Sequence, residues 1–136
     1  MSEQTGKVEV VERFYQALVA GNLVGMRDCC TPDAEFWHCF DGVVQTPDEA
    51  CQGWGALFDG FAERRVSDAT QVLIPAGVVE RHLFKVRTHD GHWKAWAVCN
   101  IIYLRDGLIA RLDEYIDRAG LSLPPEDGRT PGLPVS

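Results

Sequence analysis

The sequence has no apolar run approaching the roughly 20 residues that a bilayer requires, no C-x-x-C pair, and no basic cluster larger than Arg64-Arg65. Each gap excludes something. Without a long apolar run no membrane-spanning helix is expected. The polar start, Met1-Ser-Glu-Gln-Thr-Gly-Lys7, has neither the apolar core nor the cleavage site of a signal peptide, so a cytoplasmic location is expected. A net charge of −7 argues against nucleic-acid partners, which are held by clustered Lys and Arg. The five cysteines are odd in number and read as reduced, mostly buried thiols. A catalytic Cys39 beside His38 is disfavoured, because adjacent strand residues point to opposite faces. His89-Asp-Gly-His92 reads as an exposed turn, and a third and fourth metal ligand have no source, so neither metal nor cofactor is expected.

What remains is a chain of 136 residues with globular proportions of apolar (46%) and charged (24%) side chains, which fits one domain. Its core should span about residues 8–118, with a Pro/Gly-rich tail over 119–136 lying extended or mobile. Val8, Val11, Tyr15 and Leu18 recur at helical spacing beside a second row of Val10, Phe14 and Ala17, predicting an amphipathic helix that ends at Gly21-Asn22. A short helix fits residues 23–30, stopped by Thr31-Pro32. The aromatic stretch 34–40 reads as a strand that closes at Asp41-Gly42 and returns through Val43-Val44. Thr46-Pro-Asp-Glu49 is a capping box with proline in the first turn, so a third helix should span about residues 47–65. Four strands are predicted beyond it, over 69–75, 78–88, 93–104 and 108–117.

The last two strands carry polar side chains in apolar rows. Asn100 interrupts Trp96, Val98, Ile102 and Leu104; Glu114 interrupts Leu108, Ala110, Leu112 and Ile116. A carboxylate on an apolar face is costly to bury, so it is either partnered or present for chemistry. A two-residue Asp90-Gly91 loop would set Arg81 opposite Asn100. A three-residue Arg105-Asp106-Gly107 loop would set Val98 opposite Glu114. Arg81, Asn100 and Glu114 then share a face with Leu83, Trp96, Val98, Ile102 and Leu112. Phe84, Val86, Ile101 and Tyr103 fall on the other face, an apolar patch that predicts a homodimer.

The element order, together with Val11-Glu-Arg-Phe-Tyr-Gln-Ala-Leu18, Thr31-Pro-Asp-Ala-Glu-Phe36, the Gly53 region, and Asp106-Gly-Leu-Ile-Ala-Arg111 followed by Glu114-Tyr-Ile-Asp117, resembles the nuclear transport factor 2-like superfamily, and within it the SnoaL-like branch, over about residues 8–118. The resemblance implies an α+β cone: three N-terminal helices packed on a strongly curved, mostly antiparallel sheet around a hydrophobic pocket. It places Glu114 where SnoaL-like cyclases and limonene epoxide hydrolases have a catalytic Asp, and Asn100 where the cyclases have a His. Arg81 matches the Arg of the epoxide hydrolase set, whose second Asp is replaced by Leu83. His38 falls near the general base of ketosteroid isomerases, and Phe14 stands where those enzymes have their oxyanion-binding Tyr. No member's catalytic set is reproduced in full.

Glu114 is therefore either half of a structural ion pair with Arg81 or a base whose pKa is raised by apolar walls and lowered again by Arg81. His38 is the alternative base, or simply a hydrogen-bonded residue. Asn100 and Arg81 are donors that could hold an enolate or carbonyl oxygen, or they cross-link strands. Phe14, Tyr15, Trp54, Leu83, Trp96, Val98 and Leu112 are the expected walls for a flat hydrophobic ligand. The expectation is a cofactor-free general acid-base enzyme, an isomerase, cyclase, dehydratase or hydrolase, acting on a small hydrophobic molecule. A ligand-binding protein without turnover and a dimerisation module are the alternatives.

Overall fold

The computed structural model describes residues 3–119 and 121–123, so the expected course of the tail beyond residue 123 lies outside the described residues. Helix α1 (Glu3–Ala20) ends at Gly21, whose φ of 71° reverses the chain. Asn22 then caps the short α2 (Leu23–Asp28), its side chain accepting from the Gly25 amide at 2.9 Å. The chain becomes extended earlier than expected. Strand β1 (Cys30–His38) already includes Thr31-Pro32, because the residue before a proline is driven out of the helical region. A two-residue strand β2 (Val44–Gln45) returns along it.

Helix α3 (Pro47–Gly60) starts with the anticipated capping box, Thr46 and Glu49 each bonding the other's backbone amide. It stops five residues short of the expected 65. Phe61 turns extended, the Ala62 amide bonds the Arg87 carbonyl, and Glu63, Arg64 and Arg65 enter β3 (Glu63–Ile74) instead. Strands β4 (Gly77–Arg87), β5 (Trp93–Arg105) and β6 (Leu108–Ile116) complete the meander, and β7 (Leu121–Leu123) extends the β6 side of β5. The sheet runs β2-β1-β6-β5-β4-β3, curled but not closed, and the only parallel junction on this path is β1 with β6. Its inner face packs against the helices through Val10, Val11, Phe14, Val78, Phe84, Val86, Ile102 and Leu112.

Two turns differ from the expected ones, and the difference decides which side chains face inward. Arg87 pairs with Trp93, so residues 88–92 form the loop, its neck held by Thr88 Oγ1 bonded to both the carbonyl and the amide of His92. That slips β4 by one residue. Glu80 lies opposite Asn100, and Arg81 lies opposite Cys99 on the outer face, exposed. Leu83 shares that outer row, whereas Phe84 and Val86, expected outside, belong to the core. At the other turn Arg105 pairs with Leu108 around Asp106 (φ 54°) and Gly107 (φ 79°), a two-residue reversal with both central residues left-handed. A bulge between Tyr103 and Leu104 then restores the phase, setting Asn100 opposite Glu114.

Candidate functional site

These registers align four polar residues across four strands. His38 on β1 is opposite Glu114 on β6, Glu114 is opposite Asn100 on β5, and Asn100 is opposite Glu80 on β4. With strands about 4.8 Å apart, the row spans roughly 15 Å along the inner face of the sheet. Above it is a cavity of about 450 Å³, within the range of small-ligand sites. Its walls are Leu18 and Tyr15 from α1, Ala50, Gly53, Trp54 and Leu57 from α3, and Phe61, Phe84, Trp96, Val98 and Ile116 around the sheet. His38, His82, Asn100 and Glu114 supply the polar surface, and Phe40, Gln45 and Arg118 complete the lining.

The aromatic side chains hold one another in place. Trp54 meets Phe14 and Phe36 edge-on at centroid distances of 5.6 and 5.1 Å, and Trp96 stacks on Phe84 at 6.1 Å. His38 lies against Phe40 at 5.1 Å, and the Arg118 guanidinium sits 4.3 Å above the Phe40 ring.

Burial among these walls pushes the Glu114 carboxyl up to about 7, because its charged form is poorly solvated there. Among the described residues no cation offsets this. Arg81, anticipated as its partner, points away from the cavity. Burial also lowers the His38 imidazole below its usual value, opposed by the charge of Asp41. Burial raises Tyr15 well above the ordinary phenol range; the bond from Asn100 opposes this, and the carboxylates of Glu80 and Glu114 add to it. Tyr15 is therefore a neutral donor at physiological pH. Asn100 Nδ2 donates to the Tyr15 hydroxyl, leaving Asn100 Oδ1 buried without a hydrogen-bond partner among the described residues.

Of the residues singled out in the sequence, Glu114, His38, Asn100, Tyr15, Trp54, Trp96 and Val98 line the cavity. Phe14 and Leu112 are buried behind that wall, and Arg81 and Leu83 are on the far side of the sheet. The aromatic residue presented from α1 is thus Tyr15 rather than Phe14. Sequence reasoning missed His82 and Glu80, although the signal was present. They interrupt the even-numbered row Val78, Phe84, Val86 as Asn100 and Glu114 interrupt theirs. Among the described residues no three His, Cys, Asp or Glu side chains are grouped to hold a metal ion, and no helix is long and apolar enough to cross a membrane.

The family model described as SnoaL-like domain matches residues 11–112, ending two residues before Glu114. Among solved structures, the fold is similar to a proposed polyketide cyclase of Xanthomonas campestris pv. campestris, at 15% identity and a TM-score of 0.77, covering 87% of this chain and 95% of that one. IdmH, a proposed polyketide cyclase of Streptomyces antibioticus, gives 17% identity, 83% and 93% coverage and a TM-score of 0.75. An LEH-like epoxide hydrolase of M. tuberculosis gives 15% identity, 87% coverage of both chains and a TM-score of 0.71. At such identities the likeness is one of fold. No curated protein matches the sequence.

Proposed function

The chain belongs to the SnoaL-like domain family, and from that premise we propose that it is a cofactor-free enzyme that moves a proton on a small, flat, hydrophobic carbonyl compound, with Glu114 as the base. One observation carries the reading: a carboxyl group titrating near 7 on the wall of an apolar cavity that also presents a neutral phenol. A carboxylate whose pKa lies near the working pH is a stronger base toward carbon than an ordinary one and is still ionised in useful amount. A proposed polyketide cyclase and an LEH-like epoxide hydrolase among the structural neighbours support a small-molecule substrate.

In this mechanism the substrate lies between Trp54 and Trp96 with its carbonyl oxygen at the Tyr15 hydroxyl. Ionised Glu114 takes a proton from the adjacent carbon. The C–H electron pair moves into the new C=C bond, and the displaced π pair settles on oxygen, where the Tyr15 O–H stabilises it. Asn100 positions Tyr15 through its bond to the phenol oxygen. Returning the proton to another carbon gives isomerisation. Attack of the enolate carbon on a second carbonyl, whose oxygen takes the proton back from Glu114, gives cyclisation, and expulsion of a β-hydroxyl, which leaves as water with that proton, gives dehydration. Uncharged at neutral pH, His38 on the adjoining strand can pass the proton on.

Incubation with 2-tetralone in deuterium oxide tests the proposal without knowledge of the natural substrate. The protein should accelerate incorporation of deuterium beside the carbonyl, and the rate should rise with pH through about 7 and then level, because the ionised carboxylate is the active form. Glu114→Gln should lose about 100-fold or more of that rate. Full activity in the variant would remove Glu114 from the mechanism; saturable binding without exchange would make this a ligand-binding protein.

The reading includes a cytoplasmic homodimer. Free thiols at all five cysteines support a reducing compartment. The outer sheet face supports a partner, since it leaves Val72 61% and Tyr115 46% exposed alongside half-buried Val79, Ile101 and Tyr103.

A further inference from the structure

The polar row continues past Asn100 to a pair that this mechanism leaves unused. Glu80 and His82, on alternate positions of β4, have side chains only 1% and 2% exposed. Apolar residues of the same size would pack there without the desolvation cost of a carboxylate, so the pair calls for a use. Glu80 Oε2 lies 2.7 Å from His82 Nδ1, and Glu80 Oε1 accepts from Gln71 Nε2 at 2.8 Å. With Glu80 as the acceptor, the neutral imidazole carries its hydrogen on Nδ1 and offers Nε2 as an acceptor. The His82 ring meets the Tyr15 ring edge-on at 4.7 Å and lines the cavity, with no partner for Nε2 among the described residues.

Beside it, Asn100 is 1% exposed and has committed its amide nitrogen to Tyr15. Its remaining group is therefore the unpartnered oxygen Oδ1. This reverses the donor role expected of Asn100. A buried acceptor that finds no donor within the protein calls for one from outside it, and here it borders the cavity where a ligand would lie.

We propose that this end of the cavity is a hydroxyl-binding subsite, in which His82 Nε2 and Asn100 Oδ1 share the single hydrogen of a phenolic or enolic O–H in a three-centre bond, so that the substrate is a hydroxylated carbonyl compound rather than a simple ketone. The inference rests on the pocket reading above and names its substrate class. Tyr15 O–H takes the carbonyl oxygen and the two acceptors take the hydroxyl. Glu80 and Gln71 are positioning residues that act through His82.

Two flat probes of nearly equal size, 2-naphthol and 2-methoxynaphthalene, separate the possibilities when bound to the full chain at neutral pH. The wild type should bind 2-naphthol about tenfold more tightly, because the methoxy compound leaves both acceptors unpaired. Glu80→Gln presents an amide donor to Nδ1 and turns Nε2 into a donor. The preference should then disappear or reverse, with 2-methoxynaphthalene affinity held within about threefold, which also reports an intact pocket. His82→Phe should abolish the preference in the same way.

Equal binding of both probes by the wild type would overturn the subsite while leaving the pocket reading in place. Binding of neither would overturn both. Nitrogen-15 NMR of the wild-type imidazoles gives a test independent of any variant. Nε2 of His82 should appear unprotonated at neutral pH, and a protonated Nε2 would overturn the assignment.

Discussion

Glu114 reverses the usual relation between a carboxylate and stability. Most paired carboxylates stabilise a fold when ionised; here folding favours the protonated form, with the carboxyl raised from the ordinary 4.5 to about 7. The stabilisation is full below about 4.5 and is lost as pH rises through about 7. Glu114→Gln cannot ionise and escapes that loss. Its melting temperature should match the wild type near pH 4 and exceed it near pH 8, by the equivalent of at most ~3 kcal/mol, and less because Glu114 borders an open cavity rather than a sealed core. Thermal melts at the two pH values measure it; a gap that does not change with pH would mean that the carboxyl is well solvated. Arg81 gives the complementary case. Exposed on the outer face, it neither pairs with Glu114 nor reaches the cavity. Arg81→Ala should leave the pH dependence of 2-tetralone exchange unmoved and change stability by no more than about 0.5 kcal/mol, as measured by denaturant titration.

Helix α3 closes the cavity with Trp54 and Leu57, and its start is fixed by the reciprocal bonds of Thr46 and Glu49. Thr46→Ala should cost about 1 kcal/mol in a urea titration; no measurable loss would mean that the helix is held by packing alone. That cap was legible in the sequence because its chemistry is local. So were α1 and the inward rows of β5 and β6, since each rests on a spacing of a few residues. The register of β4 was not. Asp90-Gly91 looks like a complete two-residue turn, yet the Thr88 side chain bridges the neck of the loop and sets the closing pair at Arg87 and Trp93. One residue of slip exchanged Arg81 and Leu83 for Glu80 and His82. The bulge beside Leu104 was equally hidden, because an extra residue leaves the apolar alternation on either side intact. Glu114 was placed on the correct face although its turn was misread, the expected and actual partners, Val98 and Asn100, being two positions apart.

For the molecule as a whole, the outer sheet face predicts self-association. Sedimentation at micromolar concentration should give a dimer, and Ile101→Glu, on the outer row between Val79 and Asp113, should give a monomer that still exchanges deuterium into 2-tetralone. A wild-type monomer at that concentration would rule the dimer out. The parallel junction of β1 and β6 has a further consequence, one of timing. It joins residues 30–38 to residues 109–114, so His38 leaves the ribosome long before its neighbour Glu114 exists. The helices and the β3–β5 hairpins can form from local contacts, whereas this pairing must close a far longer loop and is correspondingly slow. Refolding should restore helical signal first and ligand binding last. A chain stopped before residue 109 would contain all three helices and five of the strands, yet have no site.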